Sequence, residues 1–281
     1  MAEIVAALAT SHTPGLTGWF DSASEDFQRR SLSAFEKMRA HLDAAQPDVL
    51  LIFGNDHLIN WPINNTPEYT VGVAAEFSGP HEWYKSWLQL DEYKIAGNPG
   101  LARHIVNGAA QHEIAMSYLR EDMQFDDAFS VPLTHLNPDM KIPMIPISMN
   151  CTVPPIPTPE RAYRVGRALR EVIGNYPGSE RVAVIGSGGL SHEPGGPRYF
   201  FIDEAFDQWF LEMMAAGDHQ KLLQECTLGR LEEAGSGGTA ELIAWFSALA
   251  FTQGGADVLD YMPTHAWRAG TGMLIWPELA K

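Results

Sequence analysis

Three short apolar runs along the chain share one design, each leading to small or polar residues and a histidine. Residues 4–8 precede Ser11-His12, residues 49–53 precede Asn55-Asp56-His57, and residues 182–185 precede Ser191-His192. Unbroken rather than alternating runs of this length, bounded by Gly, Asn or Ser, predict strands buried on both faces whose carboxyl ends open into loops. All three histidines then fall at strand ends. In an open α/β sheet that is the ligand-binding edge, because loops converge there while strands fix their positions. A fourth run, residues 142–147, predicts another strand, with Asn150 and Cys151 just beyond it.

Between the runs, apolar positions recur at helical spacing over about residues 31–44, 100–109, 159–173, 202–216 and 239–251. This alternation predicts a layered α/β fold: one domain over residues 1–281, its largely buried central sheet flanked by helices and its active site at the carboxyl ends of strands. Residues 55–100 break the pattern, with Trp61, Tyr69, Trp83, Tyr84, Trp87 and Tyr93 set among Pro62, Pro67 and Pro80. They read as long loops or an antiparallel excursion roofing a pocket, or equally as a satellite aromatic core.

Composition acts mainly by exclusion. Nineteen Lys plus Arg against 35 Asp plus Glu give a formal charge of −16, which repels nucleic acid and anionic membrane surfaces. No stretch reaches the roughly 18 apolar residues of a membrane span. The start, MAEIVAALATSH, carries Glu3 and lacks a basic segment, so it reads as a strand rather than an export signal. Cys151 and Cys226 have neither metal-type spacing nor a disulfide framework, and a cytoplasmic location is expected.

Ferrous iron in oxygen-activating enzymes is commonly held by two neutral imidazoles and a carboxylate on one face, leaving other positions open. His12 in SHTPG and His57 in GNDH are the imidazole candidates, although either one alone reads equally well as a hydrogen-bonded loop histidine. Among many acids, Glu241 follows GSGGT and opens the apolar stretch ELIAWFSALAF. On the residues alone its favoured role is to stabilise a helix N-terminus through the backbone dipole. The Gly-rich run before it lacks the Lys-Ser/Thr ending of a phosphate loop. His192, in GSGGLSHEPGGPR, can take a proton from a substrate hydroxyl and return it, or simply mark a structural turn. A serine hydrolase is disfavoured because no G-x-S-x-G elbow occurs there.

Five segments in order, SHTPG, GNDH, DMQFDDAFSVPL, GSGGLSHEPGGPR and AGSGGTAELIAW, give the chain its resemblance to the class III extradiol ring-cleaving dioxygenases of the protocatechuate 4,5-dioxygenase beta-subunit type. The resemblance implies an Fe(2+) cofactor held by His12, His57 and Glu241, with His192 as the acid/base. It implies that Asn55 contacts substrate or orients the metal shell. The implied reaction cleaves a protocatechuate- or gallate-like catechol with both atoms of O2. Homo-oligomers, and in the protocatechuate enzymes a small helical partner subunit, are also implied.

Asp127 stands where such relatives carry a histidine on the O2 side, and an ionised Asp donates no hydrogen bond. Burial could raise its pKa. Alternatively it contacts a group absent from catechols, such as the N–H of an aminophenol or hydroxypyridone, or oxygen handling has moved to His135 or His265. The same change would suit a non-catalytic metal-binding homologue. An anionic ring would need a cationic anchor, for which Arg198 and Arg268 are the candidates; His265 also belongs to the expected substrate-binding set.

Overall fold

The computed structural model describes residues 1–121 and 123–280; Asp122, which opens the DMQFDDAFSVPL segment, and Lys281 lie outside the described residues. Its strands are β1 (Glu3–Ser11), β2 (Val49–Asn55), β3 (Tyr69–Gly72), β4 (Glu76–Gly79), β5 (Tyr93–Ala96), β6 (Ser117–Leu119), β7 (Met144–Met149), β8 (Arg181–Gly188), β9 (Asp257–Thr264) and β10 (Ala269–Trp276). Eight form one sheet in the order β6-β3-β7-β2-β8-β1-β10-β9, and β4 pairs with β5 separately. The central strands β7, β2, β8 and β1 run parallel, while β3 and β10 lie antiparallel to β7 and β1.

Each apolar run of the sequence becomes one of these central strands, because both sheet faces are covered. Side chains leave the strands alternately. Val49, Leu51, Phe53, Val182 and Val184 enter a core shared with residues of the helices Pro99–Gln111, Pro159–Gly174 and Ile243–Leu249. Leu50, Ile52, Ala183 and Ile185 enter a second core with Phe27, Phe35, Met38 and Phe129, from the helices Glu25–Ala45 and Asp127–Leu136.

Three differences from the sequence pattern have local causes. The helix expected from about residue 31 begins at Glu25, because the Ser24 side chain caps it by accepting from Phe27 N and acidic residues fill its first turn. The helix Asp127–Leu136 was not expected; Pro132 within it removes a backbone donor and blurs the helical signal. The expected helix over 239–251 divides into a 3-10 turn, Thr239–Leu242, and an α-helix, Ile243–Leu249. This segment lies directly on β8, where a Cβ at Gly188 would stand 2.5 Å from the Glu241 carbonyl oxygen.

Residues 55–100 serve both of the expected purposes. β3 joins the main sheet and β4–β5 forms an antiparallel pair. Phe77 and Tyr84 pack into the second core, whereas Trp83 and Trp87 remain exposed. No described helix is long and apolar enough to cross a membrane.

Candidate active site

Parallel pairing brings the histidine loops together. Ser11 pairs with Gly188 and Asn55 with Met149, so β1, β8, β2 and β7 end along one edge. His12, Asn55, His57, Asp127, His192 and Glu241 all line a cavity of about 280 Å³ at that edge. Glu241 enters from the 3-10 turn and is buried. Its Oε2 lies 3.1 Å from His12 Nε2 and 3.7 Å from His192 Nε2, and its Oε1 lies 2.9 Å from His57 Nε2.

The surrounding hydrogen bonds aim each ring. Ser187 Oγ donates to the Ala128 carbonyl at 2.6 Å, so it can only accept from His12 Nδ1 at 3.0 Å. That leaves His12 Nε2 facing Glu241. His57 Nδ1 donates to Asp126 Oδ2 at 2.9 Å, and His57 N donates to the same oxygen at 3.1 Å, again directing Nε2 toward Glu241. Such outer partners fix the tautomer and orientation of metal-binding imidazoles. Asn55 Nδ2 donates to Glu241 Oε1 and to Thr152 Oγ1, both at 3.1 Å, and thereby orients the carboxylate.

The donor set fits a metal ion. Ligand atoms of His12, His57 and Asp127 lie within 4.8 Å of one another. Glu241 is the better carboxylate, because it meets the Nε2 of both rings, whereas Asp127 Oδ1 approaches His57 from the Nδ1 side at 3.1 Å. Glu241 and the two Nε2 atoms, at 3.1 Å and 2.9 Å, lie close enough that one ion could be held between them.

Charge reinforces the arrangement. Burial disfavours the charged forms of all four groups, yet mutual attraction outweighs it. Glu241 holds His12 above its ordinary pKa, and Asp127 and Asp126 hold His57 well above its own. His12, with His57, holds Glu241 well below the usual carboxylate range, and His57 and His12 keep Asp127 lowered as well. With protons on both rings, each Nε2 donates to Glu241; a metal ion would replace those protons. Metal binding should therefore release protons and strengthen as pH rises. Chelator competition is expected to give a higher Fe(2+) affinity at pH 8 than at pH 6, and equal affinities would remove the two imidazoles from the ligand set.

His192 is set apart from that group. Its Nδ1 donates to the Leu190 carbonyl at 2.8 Å, so the nitrogen facing the cavity is Nε2. A Cβ at Gly189 would stand 2.6 Å from its Cε1 and one at Gly238 2.6 Å from its Cδ2, so two glycine backbones hold the ring in a slot.

The remaining sequence candidates divide. Arg268 lines the cavity, its guanidinium 4.5 Å from the Tyr199 ring centroid and hydrogen-bonded to the Tyr199 hydroxyl. Arg198 does not line it; the side chain turns to Glu193 at 2.8 Å and to the carbonyls of Glu232 and Glu233. His265 is also outside the lining, exposed and 3.9 Å from Glu204. His135 stacks on Phe35 at 4.0 Å and bonds the Leu16 carbonyl, away from the cavity. A burial-raised Asp127 is corrected to a lowered one, since His57 and His12 outweigh burial. Sequence reading missed Ser187 and Asp126; only the Asp-Asp pair heading an apolar stretch hinted at the latter.

Fold and site together bring two imidazoles and a carboxylate, a donor set able to hold one metal ion, to the strand-end edge of an α/β sheet. Residues 6–272 match the family described as the catalytic LigB subunit of aromatic ring-opening dioxygenase, and the chain belongs to that family. It is 31% identical over 195 residues to 2,3-dihydroxyphenylpropionate/2,3-dihydroxicinnamic acid 1,2-dioxygenase of Photorhabdus laumondii, covering 69% of this chain and 58% of that one. It is 34% identical over 154 residues to gallate dioxygenase of Pseudomonas putida, covering 54% of this chain and 44% of that one. The matched stretches thus span about half the length of these curated relatives. The fold is similar to the crystal structure of an uncharacterized protein from Escherichia coli K12, with a TM-score of 0.54, 14% identity, and coverage of 86% of this chain and 91% of that chain.

Proposed function

We propose that the chain is one catalytic domain of a cytoplasmic, Fe(2+)-dependent extradiol dioxygenase that opens a dihydroxylated aromatic ring with O2. The observation carrying this reading is the convergence of His12 Nε2, His57 Nε2 and Glu241 on one point of the cavity, with His192 Nε2 beside them. Iron held by those three residues would supply the electron transfer that lets O2 react with a diol.

The chain's own groups supply placement and proton control. His192 Nε2 takes a proton from a ring hydroxyl and can later return it, while Leu190 keeps the opposite nitrogen protonated. Asn55 holds the Glu241 carboxylate, and Asp126 and Ser187 hold the two imidazoles. In the net reaction one ring C–C bond beside the diol breaks, and both atoms of O2 end in the opened product.

The test is oxygen uptake by Fe(2+)-loaded protein given protocatechuate, gallate or catechol, with the opened product followed by its absorbance. One O2 consumed per diol is expected. A protein that binds iron one to one yet opens no ring of any kind would be the non-catalytic homologue. A nitrogen-bearing ring is the second reading, favoured by the buried Asp127 carboxylate, which lines the cavity beside His57 and can accept from a ring N–H. Turnover of a dihydroxypyridine or 2-aminophenol without turnover of the catechols would select that reading. The homo-oligomer, with or without a small helical subunit, belongs to the same proposal and is read from the mass in solution.

A further inference from the structure

The metal-side residues account for one end of the cavity only. A cavity of about 150 Å³ is enough for benzene. In about 280 Å³ a single diol ring therefore leaves roughly half of the space free. The rest of the wall is built chiefly from Trp19, Trp83, Tyr84, Trp87 and Trp267. The rings of Trp19 and Trp83 each lie with centroids 5.7 Å from that of Trp87, so these three indoles form a continuous surface.

This surface is held in place. Trp267 Nε1 donates to Ser22 Oγ at 2.9 Å. A Cβ at Gly15 would stand 2.3 Å from the Trp267 ring, and one at Gly18 would stand 2.2 Å from the Trp87 carbonyl oxygen. The short Gly15–Gly18 helix is thus pressed between the two tryptophan segments and sets their separation. Yet Trp83 is 64% exposed and Trp87 39% exposed, so indole area at the cavity stays open to water until something covers it. Charges at this end are already engaged: Glu193 pairs with Arg198, and Arg268 lies against Tyr199. A flat apolar group gains by covering the indoles, through area burial and ring stacking, whereas a carboxylate would have to draw Arg268 away from Tyr199.

We propose that the site accepts a diol carrying an uncharged, aryl-sized substituent, which lies along Trp19, Trp83 and Trp87 while the diol faces His192 and the metal ligands. This rests on the ring-opening reading and adds its substrate class.

The test compares 3-phenylcatechol, catechol and protocatechuate with the iron-loaded protein and with its Trp83→Ala and Trp87→Ala variants. In the unaltered protein, KM for 3-phenylcatechol is expected to lie about tenfold below that for catechol, on the scale of one stacked aromatic pair plus its buried area. Each variant is expected to raise KM for 3-phenylcatechol about tenfold more than it raises KM for catechol. Trp83 is largely exposed, so its truncation spares the core. Equal KM values for the two diols, equal effects of the variants on both, or a lower KM for protocatechuate than for 3-phenylcatechol overturns the proposal. If no diol is opened at all, the ring-opening reading fails, and quenching of tryptophan fluorescence without O2 still decides the binding preference. Tenfold tighter binding of 3-phenylcatechol than of catechol supports the aryl site, and no preference refutes it.

Discussion

Glu241→Ala is expected to abolish stoichiometric metal binding and, with it, all ring opening. Its carboxylate alone touches both candidate imidazoles at Nε2, at 3.1 Å and 2.9 Å, so no other described acid can replace it without moving the rings. Removing groups that merely orient metal ligands weakens metal binding about 10–100-fold. Removing the ligand itself should therefore exceed about 10²-fold in affinity. The variant also leaves Asn55 Nδ2 without its Glu241 acceptor, so Glu241→Gln, which keeps the volume and loses the charge, separates the loss of a ligand from a disturbed turn. Metal analysis beside circular dichroism reads both. A folded Glu241→Ala protein with one bound iron and full turnover would return Glu241 to a local role in its 3-10 turn.

How far the sequence reveals this site depends on which forces place each residue. The central strands were legible because burial on both faces writes an unbroken apolar run, and their parallel pairing then forces His12, His57 and His192 to one edge. Glu241 was not legible from pattern alone. Its position depends on Gly188 of β8 admitting the Glu241 backbone, a contact between segments 53 residues apart by their numbers, 188 and 241. Local chemistry suggested a helix cap, and family resemblance alone pointed to a ligand. Arg198 failed in the opposite way. It lies close to His192 in sequence, but Glu193 and two carbonyls take its guanidinium outward. The outer strands escaped notice for different reasons: β3 and β6 are short, β9 is largely exposed or half-buried, and the buried β10 opens on Ala-Gly-Thr-Gly, which hides its apolar run.

His192→Ala is expected to leave iron bound and lower turnover by about 10²–10⁴, the usual range for losing general acid/base help. At 3.7 Å from Glu241 its Nε2 lies farther out than the Nε2 atoms of His12 and His57, so metal content should not change. The Leu190 carbonyl fixes the proton on Nδ1, and the slot between Gly189 and Gly238 prevents the ring from turning over. The nitrogen offered to substrate is therefore always the one able to accept a proton. His192→Gln tests this more sharply, because it fills much of the slot and can still hydrogen-bond, yet it cannot take up a proton at neutral pH. If proton transfer is the role, Gln and Ala variants lose kcat alike with little change in KM. If the ring only positions substrate, Gln should restore most of the activity.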